Sequence, residues 1–238
     1  MKIITRSIQS KNPVLIEGFP GIGLVGNIAS QHMIDELNME HIGSIKSRYF
    51  PSIAVLYEGL IDMPVRIYEN LEHNLIIVIL DIPIIHSISY DVSNALVDWA
   101  KSINVREFVS IAGIAVMDKG NEVFGAATTP EMLGRIRDKI GISQMGSISG
   151  ISGSIMSKCL LHGIPALSLL GATMTQNPDS RAASNVIEVL NELYGLSLNT
   201  QGLIEQAEQI EIELKRLADD VQANEMEGEA KNYSPMYE

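Results

Sequence analysis

The sequence has a single cysteine and no long apolar run, and each absence excludes a class of protein. Cys159 alone cannot form an intramolecular disulfide, and this agrees with a reducing compartment. No apolar run approaches the roughly 20 residues that a membrane-spanning helix needs. The first residues, MKIITR, lack the long apolar segment and the cleavage site of a secretory signal. We therefore expect a cytoplasmic protein.

Basic residues are also scarce, and the charge is unevenly distributed. The chain has 17 lysines and arginines against 29 aspartates and glutamates, for a formal net charge of −12. Residues 201–238 contain ten acidic and three basic residues, so they contribute −7 of that total. No basic cluster is available to neutralise the phosphates of a nucleic acid. We expect neither a nucleic acid nor a membrane as a partner.

Two local patterns alternate along residues 1–198, which we interpret as one domain. Short β-branched apolar runs predict strands at 14–17, 53–57, 65–68, 75–80, 108–115 and 166–170. Helical patterns lie between several of them, at 23–37, 90–102, 129–138, 155–162 and 180–194. This alternation predicts an α/β fold, with a layered, largely parallel sheet and helices on both faces. Residues 42–68 lack a helix and predict an antiparallel hairpin inserted in the sheet.

A glycine-rich turn near the N-terminus matches the first half of a dinucleotide-binding fingerprint. Gly21, Gly23 and Gly26 have the G-x-G-x-x-G spacing and follow a predicted strand and Gly18. The fingerprint also needs a carboxylate about 20 residues further on, where the second strand ends, to bind the ribose hydroxyls. The next predicted strand, around 42–50, has no carboxylate. We interpret the four glycines as a structural turn, with a weak anion site at the helix N-terminus as the alternative.

Catalytic and metal-binding patterns are weak. The run GSISGISGS at 146–154 never spells the G-x-S-x-G of a nucleophile elbow, and it predicts a loop before a helix. Cys159 lies among apolar residues, which is typical of a core position. The five histidines are scattered, so we predict no metal and no cofactor. Asp81, close to His86, is the best-placed lone carboxylate for acid–base chemistry, although capping a turn or a helix is its simpler role.

The composition changes after residue 198. Apolar residues then follow a heptad spacing with polar and charged residues between them: Leu203, Ala207, Ile210, Leu214, Leu217 and Val221. We predict an amphipathic, coiled-coil-like helix over residues 199–223. This helix can pack on its own domain or pair with another copy of the chain, and the narrow seam favours pairing. Residues 224–238 are polar and acidic and predict a mobile tail.

Several longer motifs occur in a characteristic order: EGFPGIGLVGNIA, FPSIAVLYEG, SGISGSI followed by GIPALSLLGAT, and NPDSRAASNVIEVLNELYGL. Over about residues 12–200 the sequence resembles the archaeal members of the proteasome assembly chaperone family. The resemblance implies an α/β domain similar in topology to purine nucleoside phosphorylases, without known catalysis. It also implies a homo-oligomer that engages the ring of proteasome α-subunits, as a chaperone or as an activator.

From this resemblance, residue roles carry over only to the tail. Proteasome activators end in a hydrophobic residue, a tyrosine and any residue with a free carboxylate, and Met236, Tyr237 and Glu238 match that motif. We therefore expect a non-enzymatic homo-oligomer that binds the α-ring through these residues. No Walker A sequence occurs, so any activation would be ATP-independent. The alternative is an α/β enzyme or ligand-binding protein for a nucleoside-like or anionic small molecule, using the glycine turn and a cleft near Asp81.

Overall fold

The computed structural model describes residues 1–207, apart from residues 52, 58, 85, 118–121 and 175. The strands are β1 (Lys2–Thr5), β2 (Val14–Gly18), β3 (Glu40–Lys46), β4 (Val55–Tyr57), β5 (Leu60–Asp62), β6 (Val65–Asn70), β7 (Leu75–Leu80), β8 (Glu107–Ala115), β9 (Val123–Ala127), β10 (Gly141–Ile142) and β11 (Ala166–Thr173). The helices are α1 (Val25–Glu36), α2 (His86–Ser102), α3 (Pro130–Ile136), α4 (Gly150–His162) and α5 (Ser180–Tyr194). Residues 201–207 are also helical.

Nine strands form one mixed sheet in the order β1-β3-β6-β7-β2-β8-β11-β9-β10. The four central strands β7, β2, β8 and β11 are parallel, and β6 and β9 flank them antiparallel. Every residue of β2, β7 and β11 is buried, as expected of parallel strands covered on both faces. The prediction of a layered α/β fold is confirmed.

Helices cover both faces of the sheet. One core contains Ile16 of β2 together with Met33 of α1 and Val186 of α5. The other contains the neighbouring Leu15 together with residues of α2 and α4. Because successive side chains of a strand point to opposite faces, one continuous apolar strand supplies both cores. None of the described helices combines the length and apolar content required to span a bilayer.

The structure differs from the sequence-based prediction at three places. The segment 42–68 does contain antiparallel strands, but β4 and β5 form a separate two-stranded sheet instead of joining the main one. The edge strand β1 and the short β9 and β10 have no clear apolar run and were not predicted. The predicted loop at 146–154 is wrong in its second half, because α4 already begins at Gly150.

Packing explains why the serine- and glycine-rich run is helical. The Ser154 hydroxyl lies 2.6 Å from the Ser93 hydroxyl of α2, so it is hydrogen-bonded across two helices. Gly153 faces the carbonyl of Ile148 so closely that no Cβ atom fits between them. The low helix propensity of glycine and serine is therefore outweighed by tertiary contacts that only these small residues permit.

The closest packing in the fold occurs where α1 crosses the sheet. A Cβ atom added to Gly18 would overlap the Gly26 carbonyl and the Ser30 side chain, and one added to Gly26 would overlap the Ile111 carbonyl of β8. Gly113 likewise lies against the Ile22 carbonyl. Three glycines thus let the backbones of β2, β8 and the first turn of α1 approach within distances that other residues exclude.

We expect Gly26→Ala to lower the free energy of unfolding by roughly 3 kcal/mol, because its methyl group would lie under 3.0 Å from rigid backbone. Gly134→Ala in α3 is the matched control, since it is also a helical glycine but has no atom within 4 Å of the added Cβ. The control should raise stability by roughly 0.5–1 kcal/mol through helix propensity. Urea denaturation of both variants measures the difference, and a stabilised Gly26→Ala protein would contradict this account.

Candidate functional site

The carboxyl ends of β2, β7, β8 and β11 lie at one edge of the sheet, where α/β proteins commonly bind ligands. The sequence-predicted glycine turn and Asp81 both lie at this edge. So do Thr173, at the end of β11, and Asp179, at the start of α5. The contacts of these groups decide whether the edge is open to a ligand.

The glycine turn is closed by contacts with the protein itself. Its strand–turn–helix geometry is as predicted, with Gly23 at a φ of +64° in a short 3-10 turn at Ile22–Leu24. The carbonyl of Gly23 accepts a hydrogen bond from the Asp179 backbone N–H at 2.8 Å. The Thr173 hydroxyl donates to the Asp179 carboxylate at 2.6 Å, and that carboxylate also caps α5. A carboxylate held beside the turn disfavours a phosphate, so the geometry favours the structural interpretation of the four glycines.

Asp81 is held by an ion pair instead of being free for acid–base work. The Arg66 guanidinium donates to its two carboxylate oxygens at 3.0 and 2.9 Å. The Arg66 side chain is almost completely buried and also donates to the Tyr68 hydroxyl at 2.9 Å. Asp81 thus compensates the charge of the buried Arg66 guanidinium. This structural role differs from the predicted capping of a turn or a helix. The one sequence signal for this pair is an arginine inside the apolar run VRIY of β6.

Glu17 is a buried acid that the sequence analysis did not single out. It is the last but one residue of β2 and lies opposite Ser110 of β8, which in turn lies opposite Ser168 of β11. Burial raises the pKa of Glu17 to about 8, although the Ser110 hydroxyl and the Phe19 backbone oppose the shift. A carboxyl group that titrates near neutrality beside hydroxyl groups is a frequent property of catalytic sites.

The surroundings of Glu17 argue against catalysis. Glu17, Ser110, Ser168 and Cys159 are all completely buried. Burial, with a smaller contribution from the charge of Glu17, raises the pKa of the Cys159 thiol to about 12, so the thiol stays protonated and unreactive. Cys159 is thus a core residue, as predicted. In this conformation none of the four side chains is accessible to a substrate in solution.

Metal coordination finds no support in the part of the chain that the structure describes. There, no three histidine, cysteine, aspartate or glutamate side chains lie together as ligands of one ion. His32 instead contacts the carbonyl of Asn199 at 2.8 Å, and His41 stacks near Tyr68.

The predicted C-terminal helix begins against its own domain. Leu203 and Ala207, the first two positions of the apolar seam, are buried, and Leu203 belongs to the core between α1 and α5. The Asn191 side chain bonds both the N–H and the carbonyl of Leu198, and the Thr200 hydroxyl donates to Glu188 at 2.6 Å. These contacts fix where the helix begins on the domain.

The remaining predicted residues lie outside the described part of the chain. They are Ile210, Leu214, Leu217 and Val221 of the seam, and Met236, Tyr237 and Glu238 of the terminal motif. Their roles stay predictions.

The buried Glu17 predicts an unusual dependence of stability on pH. Its pKa is about 8 in the folded protein and near 4.5 when exposed, so between these values only the folded chain keeps the proton. The contribution of Glu17 to the free energy of unfolding is therefore fully present below about pH 4.5. It declines by roughly a few kcal/mol as the pH rises towards 8. We expect Glu17→Gln to be more stable than the parent at pH 8.5 and to lose this advantage at pH 5.

Urea unfolding at the two pH values measures the effect of Glu17. The exposed Glu36 provides the control, since Glu36→Gln should change stability equally at both pH values. A Glu17→Gln protein with the same pH dependence as the parent would show that Glu17 does not retain its proton in the folded state.

Comparison with known proteins places these features in a family. The chain is 34% identical to the uncharacterised protein MJ0106 of Methanocaldococcus jannaschii, over 100% of this chain and 98% of that protein. It is similar to the crystal structure of Pyrococcus furiosus PbaA, described as an archaeal homologue of proteasome-assembly chaperone. That match has a TM-score of 0.86 and 32% identity, and covers 100% of this chain and 99% of the other.

A second similar structure is Pyrococcus furiosus PbaB, described as an archaeal proteasome activator. Its TM-score is 0.80 at 25% identity, and the match covers 91% of this chain and 98% of PbaB. The PAC2 family model matches residues 15–218, which include the four central strands and the helices on both faces of the sheet. The sequence, the sheet and these matches agree, and the chain belongs to the PAC2 family.

Proposed function

We propose that this chain is a non-enzymatic, cytoplasmic homo-oligomer that binds the α-ring of the proteasome through Met236, Tyr237 and Glu238. Bound there, it assists assembly of the ring or opens its gate without ATP. The observation that carries the proposal is the similarity to PbaA over the whole length of both chains. The similarity to PbaB, a proteasome activator by its description, gives independent support for a proteasome partner.

The polar groups at the carboxyl edge are engaged within the protein, which supports a binding function over an enzymatic one. There the glycine turn is bonded to Asp179, Asp81 is paired with Arg66, and Glu17 is buried. We therefore assign binding of the α-ring to a segment outside the α/β domain.

The terminal residues have the chemistry of a docking peptide. Tyrosine provides a large contact area with few rotamers and a hydroxyl group for one hydrogen bond. The free carboxylate of Glu238 suits capture by a lysine or by backbone N–H groups. Residues 224–235 are polar and acidic, a composition predicted to act as a tether between the domain and the motif.

Oligomerisation provides the affinity that one tripeptide lacks. Several tails that project from one assembly bind cooperatively, and this raises the overall affinity by about 10²–10⁴-fold when the tether reaches the sites. Leu203 and Ala207 pack on their own domain. We propose that the later seam positions, Ile210, Leu214 and Leu217 among them, pair with another copy and direct the tails to one side.

We expect Tyr237→Ala to weaken binding to archaeal proteasome α-rings at least tenfold, because the aromatic anchor is lost from every tail at once. Tyr233→Ala is the matched control, since it removes the same side chain from the same tail outside the motif. Co-sedimentation with α-rings measures binding. Equal binding of the two variants, or undiminished binding after deletion of residues 236–238, would refute the tail as the docking site.

The two roles are distinguished with the same proteins. An activator stimulates peptide hydrolysis by the assembled proteasome, whereas an assembly chaperone accelerates ring formation from free α-subunits without stimulating hydrolysis. In either assay the activity should be lost in Tyr237→Ala and retained in Tyr233→Ala. The absence of both activities in the parent protein would refute the proposed function.

We expect Leu214→Asp to lower the mass of the oligomer in light scattering, because a carboxylate in an apolar helix seam is left unpaired. Gln209→Asp adds the same charge away from the seam and serves as the control. If the mass is unchanged in both variants, the helix packs on its own domain throughout, or the oligomer is held by other surfaces.

A further inference from the structure

The hairpin of β4 and β5 is separate from the body of the domain. It consists of two three-residue strands that pair only with each other, through Val55↔Asp62, Leu56↔Ile61 and Tyr57↔Leu60. An isolated two-stranded hairpin is marginally stable in water and normally needs a surface to pack on. The hairpin begins beyond the carboxyl end of β3, at the same edge of the sheet as the glycine turn.

Both faces of this hairpin carry exposed apolar side chains. Leu56 and Ile61 lie opposite each other and therefore point to one face, with 75% and 76% of their surface exposed. Leu60 precedes Ile61 in the strand, so it points to the other face, where it is 74% exposed. A hairpin that lies flat on a surface needs one apolar face. Two apolar faces indicate an arm that inserts into a recess.

The same protomer has a recess of matching chemistry next to the hairpin. It lies between residues 49–51 and 53 on one side and residues 82, 83 and 88 on the other, and has a volume of about 400 Å³. Its walls are almost entirely apolar and include Phe50, Pro51, Ile53, Ile82 and Ile88. The hairpin residues Leu56, Leu60 and Ile61 do not line the recess of their own protomer.

We propose that the hairpin of one protomer inserts into this recess of a second copy of the chain, with Leu60 and Ile61 as the inserted side chains. The inference rests on the homo-oligomer of the proposed function and names a surface that holds the protomers together. The hairpin and the recess are neighbouring parts of the same surface. Both a two-fold contact, in which each hairpin enters the recess of the other copy, and a repeated head-to-tail contact that closes a ring satisfy this arrangement.

A second copy fits better than an unrelated partner because the chain itself supplies both halves of the contact. An exposed apolar arm and an open apolar recess beside it would each be a liability on an isolated protomer. A contact in which the arm of one copy enters the recess of another covers both apolar surfaces. Lys46 and Arg48 line a neighbouring pocket that shares Phe50, Pro51 and Ile53 with the recess. Asp62, at the end of the inserted β5 strand, has the opposite charge, and in its own protomer it accepts the Met63 N–H and lies 3.9 Å from His41.

We expect Ile61→Asp to lower the mass of the oligomer in sedimentation or light scattering, with self-association at least tenfold weaker, because its carboxylate would enter an apolar recess. Leu161→Asp on α4 is the matched control, since Leu161 is 77% exposed and far from the hairpin in the sequence. Thermal unfolding of each variant at low concentration establishes that the protomer still folds. A mass equal to that of the parent and the control overturns the proposal.

Cross-linking tests the arrangement directly, and the buried Cys159 leaves a clean background for it. An Ile61→Cys protein is mixed with an Ile53→Cys protein and oxidised, so that each copy carries one half of the contact. We expect a covalent dimer in the mixture and much less in either protein alone. A dimer from Ile61→Cys alone indicates hairpin-to-hairpin pairing and overturns the proposal, as does the absence of any dimer.

These measurements need no proteasome, so their outcome is independent of the tail. A Tyr237→Ala chain should cross-link as the parent does, even if the tail proves to have no role in binding. If Ile61→Asp keeps the parent mass but loses affinity for α-rings, the hairpin contacts the proteasome instead of a second copy, and the proposal is overturned.

Discussion

The close contact of α1 with β2 and β8 is the constraint on which the rest of the structure depends. Gly18, Gly26 and Gly113 bring three backbone segments nearer than any side chain allows. This contact seats α1 deep on the sheet, so that its apolar face and that of α5 cover one side of β2. The strand is then buried on both faces, and its neighbours pair in parallel around it. A larger residue at any one of these glycines would overlap backbone atoms, so the helix would have to shift away from the sheet.

The polar groups at the edge where α/β proteins commonly bind small molecules are engaged within the protein itself. The glycine turn is bonded to the start of α5, Arg66 holds Asp81, and Glu17 lies beneath α4 beside Ser110 and Cys159. Polar groups that would suit catalysis are thus used for internal packing. The groups that remain available to partners lie on the outside of the protomer. They are the exposed apolar side chains of the β4–β5 hairpin and, as proposed, the terminal motif.

How far the sequence predicted the fold depended on how much each element is buried. The all-apolar run of β7 and the helical pattern of α5 were predicted almost to the residue, because burial on both faces or along one stripe leaves a strong periodic signal. The edge strand β1 is half-exposed and β10 has two residues, so neither produces a pattern. The start of α4 was missed because the hydrogen bond of Ser154 to the distant Ser93, together with the close fit of Gly153 against Ile148, outweighs local propensity.

For the candidate site, the sequence by itself determined the glycine turn, the missing ribose-binding carboxylate, the apolar setting of Cys159 and the motif at the C-terminus. These are local features, since each depends on residues close together in the chain. Only the tertiary structure decided that Asp81 forms an ion pair with Arg66, that Glu17 is a buried acid with a raised pKa, and that Leu203 packs on its own domain. Charge pairing and burial depend on which distant residues meet, and the fold alone brings Arg66 to Asp81 or α4 over Glu17.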